Sequence, residues 1–232
     1  MTEHPFALEI DASLRPCPAQ FGLIWAEGIR APEPSTDAPE FLASLLSSAL
    51  QVGEAYVPQD VRQRVRKMLR YGKYKPSGRG KPASEFLFRA ALSGTFPFVN
   101  GPVDVNNAIS LESGFPGSIF DAGLSGQRLR IRRGWPGESY VFNPSGQTID
   151  LEDLLLVCRL GKDDWEPCGN PVKDAMITKT SAETRSVVAV LYAPPDEPAS
   201  DVEAWSRRYA DLLASHCGAS AVGSLTVSPA DA

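Results

Sequence analysis

Apolar and polar positions along this chain follow two periods, and they divide it into a mainly helical first part and a mainly extended second part. Phe21–Ile29, FGLIWAEGI, is an apolar run of strand length and predicts a buried strand. Helical spacing follows at Phe41, Leu42, Leu45, Leu46, Ala49 and Leu50, with Asp37 placed to cap that helix. Asp60 is placed to cap a second helix, VRQRVRKMLRYG, whose apolar stripe is Val61, Val65, Met68 and Leu69 and which Gly72 ends. Ser84 stands at the cap position of a third, EFLFRAALSG, closed by Gly94. Beyond residue 96 the pattern turns mostly to strands. Leu129–Arg133 and Ser139–Phe142 alternate across a Pro-Gly turn at 136–137. Leu151–Arg159 predicts a short helix running into a strand, and Ala175–Thr180 with Ser186–Tyr192 predicts a strand pair. Val202, Trp205, Tyr209, Leu212 and Leu213 share one face of a last helix over Asp201–His216, and the small, polar residues 219–232 predict a flexible tail.

One stretch resists this simple reading. Phe96–Asp121, FPFVNGPVDVNNAISLESGFPGSIFD, places Asp104, Asn106 and Asn107 in an apolar context. It predicts a strand, a buried polar turn, a short helix and a Gly/Pro bend. A buried polar group without a partner costs about 1–3 kcal/mol, so these side chains must be tied down locally. Asp104 and Asn107 are therefore expected to be structural. No linker-like composition divides the middle of the chain. The expectation is one α+β domain over 1–218, a mixed and mainly antiparallel sheet flanked by helices.

Composition narrows the function. The chain has 232 residues, 43% hydrophobic and 22% charged, which is ordinary for a globular protein. No run approaches the roughly 20 apolar residues of a membrane span. MTEHPFALEI lacks a basic region followed by an apolar core, so no secretory signal or membrane partner is expected and the cytoplasm is the expected location. The four cysteines, Cys17, Cys158, Cys168 and Cys217, are scattered without metal-ligand spacing and predict free thiols. With two histidines, His4 and His216, a His-based triad or metal site is nearly excluded; no metal and no cofactor are expected. A Cys168 nucleophile would lack its histidine base.

The net charge is −5, yet nine of the 23 Lys and Arg residues lie between 62 and 81 with no acid among them. They are Arg62, Arg64, Arg66, Lys67, Arg70, Lys73, Lys75, Arg79 and Lys81, with Tyr71 and Tyr74 interleaved. This stretch is either a phosphate-contacting surface, with Arg62, Arg66, Arg70, Lys73, Lys75, Arg79 and Lys81 on RNA, or a solvated helix face and loop. RLRIRR at 128–133 offers the same choice.

Together, SEFLFRAALSG, FVNGPVDVNNAISLESGFP and FDAGLSGQRLRIRRGWPGE resemble the B3/B4 domain of the phenylalanyl-tRNA synthetase beta subunit, nearest to free-standing bacterial proteins of that domain alone. The resemblance spans roughly 62–194. Val103, Asp104 and Asn107 match its Val-Asp-x-x-Asn pattern, and Glu112, Gly114 and Pro116 match its Glu-x-Gly-x-Pro bend. Phe120, Asp121, Gly126, Arg132, Gly137 and Glu138 follow in the family's order. The resemblance implies an editing fold, in which water attacks the ester of a mischarged aminoacyl-tRNA. It implies a pocket between Lys81–Phe88, Val99–Asn100 and Cys168–Val190. The pocket residues expected there are Ser84, Asn100, Asn170 and Thr180. Three family groups have no counterpart: Val99 and Ser118 stand where the synthetase has histidines, and Val190 where it has a glutamate.

The expected activity is therefore hydrolysis of mischarged aminoacyl-tRNA in trans, with tRNA or aminoacyl-tRNA as partner and water activated by substrate groups and backbone dipoles. The alternative is a non-catalytic module that binds RNA, a free amino acid or a protein. A third reading is an unrelated small-molecule hydrolase in the same cleft, since fold does not fix function. With no class II arginine motif, the chain is not expected to charge tRNA itself.

Overall fold

The computed structural model describes residues 5–30 and 38–227. Asp37, His4 and the last residues of the expected tail, 228–232, lie outside the described residues. The strands are β1 (Ala7–Ile10), β2 (Gln20–Glu27), β3 (Gly117–Asp121), β4 (Arg128–Arg133), β5 (Ser139–Val141), β6 (Thr148–Asp150), β7 (Leu155–Leu160), β8 (Trp165–Gly169), β9 (Ser186–Ala193) and β10 (Ala221–Val227). The helices are α1 (Glu40–Val52), α2 (Gln59–Leu69), α3 (Ala83–Ser93), α4 (Gly101–Ser113), α5 (Ala122–Ser125) and α6 (Ala199–Cys217). One sheet runs in the order β10-β2-β9-β3 and is antiparallel throughout. A second runs β1-β4-β7-β8, with β1 parallel to β4, and β5-β6 form a separate hairpin. The strands and helices make the expected α+β fold, in one compact body.

A common core holds β2, β9, β3 and β4 against α2, α4 and α6; Phe21, Phe120, Tyr192 and Tyr209 are all completely enclosed. A smaller cluster joins α1, α3 and α4 through Leu42, Phe88, Ala108 and Leu111. Burying each large apolar side chain contributes about 1.5–3 kcal/mol, so these clusters dominate the stability of the fold.

Four expectations change. The stretch 101–113 is not a turn and short helix but the continuous helix α4. Asn100 caps it by accepting from the Val103 N–H at 3.1 Å, Pro102 sits in its first turn, and Gly114 ends it at φ 75. The helix packs against α3, α6, β3 and α1. It is buried nearly all round, so it has no amphipathic period to read. Most of its polar groups are satisfied in place, although the buried Ser110 hydroxyl finds no partner among the described residues. Asn106 accepts from the Tyr209 hydroxyl at 2.9 Å and donates to the Gly117 carbonyl at 3.3 Å. A Cβ on Gly117 would come 2.5 Å from Asn106 Oδ1, so only glycine permits this approach.

Second, residues 175–180 are not a strand. The Ala175 N–H and the Thr178 hydroxyl both bond to the Cys168 carbonyl, strapping a 3₁₀ turn over Met176–Thr178 onto β8. The strand β9 pairs instead with β2 and β3. Third, residues 151–154 form a turn with Asp153 at φ 66 rather than a short helix. Fourth, 221–227 is not a tail: β10 pairs with β2 from Ala221 opposite Glu27 to Val227 opposite Phe21. Its Val222, Leu225 and Val227 pack on the core. Helix caps also shift. Pro58 and Pro82 occupy the positions expected for Asp60 and Ser84, which fall inside the first turns of α2 and α3.

Candidate functional site

A cleft of about 230 Å³ opens where α4, β3 and the loop after β8 meet. Its walls include Val99, Val103, Ile119 and Val172; its polar groups are Asn106, Asn107, Asn170, Lys173, Asp174, Lys179 and Thr180. Beside it lies a wider cleft of about 590 Å³, which shares Ala83, Asn107, Val172 and Lys173 with it. Arg79, Lys81 and Arg89 line that outer cleft, so a small mixed polar-apolar chamber adjoins a cationic entrance.

The residues expected to form the pocket divide. Asn170 and Thr180 line the inner cleft, whereas Ser84 and Asn100 do not. Asn170 is largely spent on structure: its Oδ1 accepts from the Val172 and Lys173 N–H groups at 2.8 and 2.9 Å, and its amide donates to the Tyr140 hydroxyl at 2.6 Å. Asn100 caps α4 and donates to Thr180 Oγ1 at 3.1 Å. Ser84 is buried in α3, and its hydroxyl finds no partner among the described residues. Asp104 accepts from the Val99 N–H at 2.9 Å, and burial pushes its carboxyl up from 3.8 to about 6. Asn107 is buried and accepts from Asn106 at 3.5 Å, at the cleft wall.

Asp174 was not among the expected site residues. It stands on the loop after β8, and its Oδ2 accepts from the Ile119 N–H at 3.2 Å. Its Oδ1 is buried without a hydrogen-bond partner among the described residues. Burial pushes its carboxyl up from 3.8 to about 7, partly offset by Ser118, the Ile119 N–H and the charge of Lys179. Burial in turn lowers both Lys179 and Lys173. Lys179 Nζ donates to the Phe142 carbonyl at 2.6 Å, and Lys173 Nζ lies 3.7 Å from the centroid of the Phe142 ring. In the sequence Asp174 follows Lys173 in Val-Lys-Asp-Ala-Met-Ile, and nothing there sets it apart from an ordinary exposed acid.

Cys168 is completely buried, its thiol is raised well above the ordinary range by burial, and its Sγ lies 3.5 Å from the Val157 carbonyl. Val190 is core, paired with Ser118 between β9 and β3. Ser118 itself is buried, 3.0 Å from the Tyr192 hydroxyl. His216 stacks on Phe41 at 3.9 Å. Among the described residues, no group of three His, Cys, Asp or Glu side chains is placed to hold a metal. No helix among them is long and apolar enough to cross a membrane.

The basic stretch is neutralised in part by acids from elsewhere in the chain. Arg66 makes a two-pronged pair with Glu85, which is only 4% exposed. Arg62 pairs with Glu54, Arg64 with Glu197 and Asp196, and Lys73 with Glu152. Arg66 is thus a structural cation. Among the described residues, Arg70, Lys75, Arg79 and Lys81 form no ion pair.

The architecture defines an α+β protein with a small polar cleft between a fully packed helix and a sheet edge. No protein-family model matches the sequence, and no curated protein matches it. Among solved structures, the chain is similar to the crystal structure of an N-terminal fragment of the phenylalanyl-tRNA synthetase beta-subunit from Pyrococcus horikoshii. The TM-score is 0.52 and the identity 9%, over 98% of this chain and 55% of that one. At this identity the likeness is one of fold, and the chain spans about half the length of its neighbour.

Proposed function

We propose that this protein hydrolyses the ester of an aminoacyl-tRNA, with the amino acid in the inner cleft and the RNA 3′ end along the cationic outer cleft. The carrying observation is Asp174, a carboxyl at the cleft wall with a free oxygen and a proton affinity matched to neutral pH. The synthetase-like fold supports the substrate class.

In this reading ionised Asp174 takes a proton from water as the water oxygen attacks the ester carbonyl. The tetrahedral intermediate then collapses, the bond to the ribose oxygen breaks, and Asp174 returns the proton to that oxygen. The products are a free amino acid and an uncharged RNA. Lys179 favours the ionised form of Asp174 by its charge. Val99, Val103, Ile119 and Val172 offer an apolar wall to the amino-acid side chain. Arg79, Lys81 and Arg89 face the phosphates.

Incubation with a panel of mischarged tRNAs tests this. At least one should be deacylated faster, with a rate that rises as pH passes through about 7. Asp174→Asn should lose about 10²–10⁴-fold of that rate. No acceleration across the panel overturns the proposal. A non-catalytic binding role is favoured by one observation, the use of both Asn100 and Asn170 amides in structural bonds. Binding of aminoacyl-tRNA without turnover would select it.

A further inference from the structure

Away from this cleft, a second cavity of about 490 Å³ lies between the chain after β1, the outer face of α2, the end of β4 and the loop before α6. Arg15, Arg64, Lys67, Arg70 and Arg133 line it, against one acid, Asp196. Arg64 is already paired with Asp196 and Glu197. Among the described residues, Arg15, Lys67, Arg70 and Arg133 form no ion pair. Four cations therefore converge from three separate elements on one cavity whose single lining acid, Asp196, is already paired with Arg64.

The end of α2 explains part of this, because cations at a helix C-terminus are favourable. It accounts for Lys67 and Arg70. It does not account for Arg15 or Arg133, which other elements bring to the same space. Arg133 is held in place: it donates to the Asp153 carbonyl at 3.1 Å and its guanidinium lies 4.4 Å from the centroid of the Tyr71 ring. Burial lowers its proton affinity, and the nearby charge of Asp153 offsets this only in part, without forming an ion pair. Tyr71 is 53% exposed, so the ring keeps accessible surface for a second planar group. The nearly buried Leu14 and Met68 add apolar surface to the lining. The volume lies within the roughly 300–1,000 Å³ of small-ligand sites.

We propose that this cavity binds a nucleoside phosphate, its phosphate among Arg15, Lys67, Arg70 and Arg133 and its base on Tyr71. Four cations more than balance the charge of about −2 on a phosphate monoester, and arginine forks match its oxygens. The ligand is either a free nucleotide or the phosphorylated end of an RNA strand. The inference does not depend on the hydrolase reading, because none of these residues lines the inner cleft.

Calorimetric titration of the full chain tests it with adenosine, AMP, inorganic phosphate and a short 5′-phosphorylated oligoribonucleotide. AMP, the oligonucleotide or both should bind at one site, more tightly than adenosine and with affinity falling as salt rises. Binding of AMP points to a free nucleotide, and binding of the oligonucleotide alone to a strand end. Arg15→Ala and Arg70→Ala, both at exposed positions, should each weaken binding about tenfold while leaving the melting temperature unchanged. Tyr71→Ala should weaken the nucleotide and spare inorganic phosphate. Arg79→Ala with Lys81→Ala, in the other cleft, should leave this binding intact and slow any deacylation. Absence of binding by both phosphorylated nucleotides overturns the proposal, as does binding that ignores the Arg15 and Arg70 variants.

Discussion

Asp174→Asn should stabilise the protein in alkaline solution while removing its activity. In the native fold, burial raises this carboxyl from 3.8 to about 7. Below about pH 4 both folded and unfolded chains carry the proton, and the group contributes nothing. Between there and about pH 7 the folded state holds a proton that the unfolded state has released. The folded state binds more protons, so stability falls as pH rises through this window, and above it the full cost of ionisation is present. At about 1.4 kcal/mol per tenfold change in proton affinity, that cost reaches about 4 kcal/mol. The charge of Lys179 already moderates the rise to about 7. Water entry on ionisation reduces the cost further, leaving about 1–3 kcal/mol to be measured. Asparagine keeps an oxygen to accept from the Ile119 N–H and carries no charge. Urea unfolding of both proteins at about pH 5 and about pH 8 reads the difference directly. The variant should gain on the parent between the two values. Asp104 and every other titrating group are common to both proteins and cancel. Equal pH dependence of parent and variant would refute the account of Asp174 as a carboxyl ionised against its surroundings.

The other outcomes follow from the packing. Arg66→Ala strands the buried Glu85 and should cost about 3 kcal/mol in urea unfolding, whereas Arg70→Ala should stay within about 0.5 kcal/mol. Equal effects would mean that Arg66 is an ordinary surface charge. Tyr209→Phe removes the hydroxyl that donates to Asn106 and should cost about 1–3 kcal/mol, with α4 losing amide-exchange protection first. A chain ending at Ser220 loses β10 and uncovers the edge of β2. It should be destabilised by about 3 kcal/mol or more, and it would overturn the pairing if it melted like the full chain.

What the sequence determined by itself is local. The strand core at Phe21–Glu27, the helices α1, α2, α3 and α6, the alternation of β4 and the turn at 136–137 all appear in the pattern of apolar positions and turn residues. Such signals act over a few residues, within reach of one helical turn or one pleat. Arg132 and Glu138, marked only as signposts, do form a two-pronged pair, at 2.6 and 2.8 Å. Tertiary structure decided the rest. The Asn106 side chain is compatible with a buried helix only because Tyr209 and Gly117 come from other elements to satisfy it, while Asp104 is met locally by the Val99 N–H just before the cap. The small, mixed residues 221–227 become a strand because β2 presents a free edge about 200 residues away along the chain, where Val222, Leu225 and Val227 reach the core. The basic stretch looks unopposed until folding brings Glu85, Glu152 and Glu197 to it. Asp174 is an ordinary acid in sequence. Its proton affinity is set by β3, Lys179 and the loss of water around it, since desolvation depends on everything packed nearby and on no residue alone.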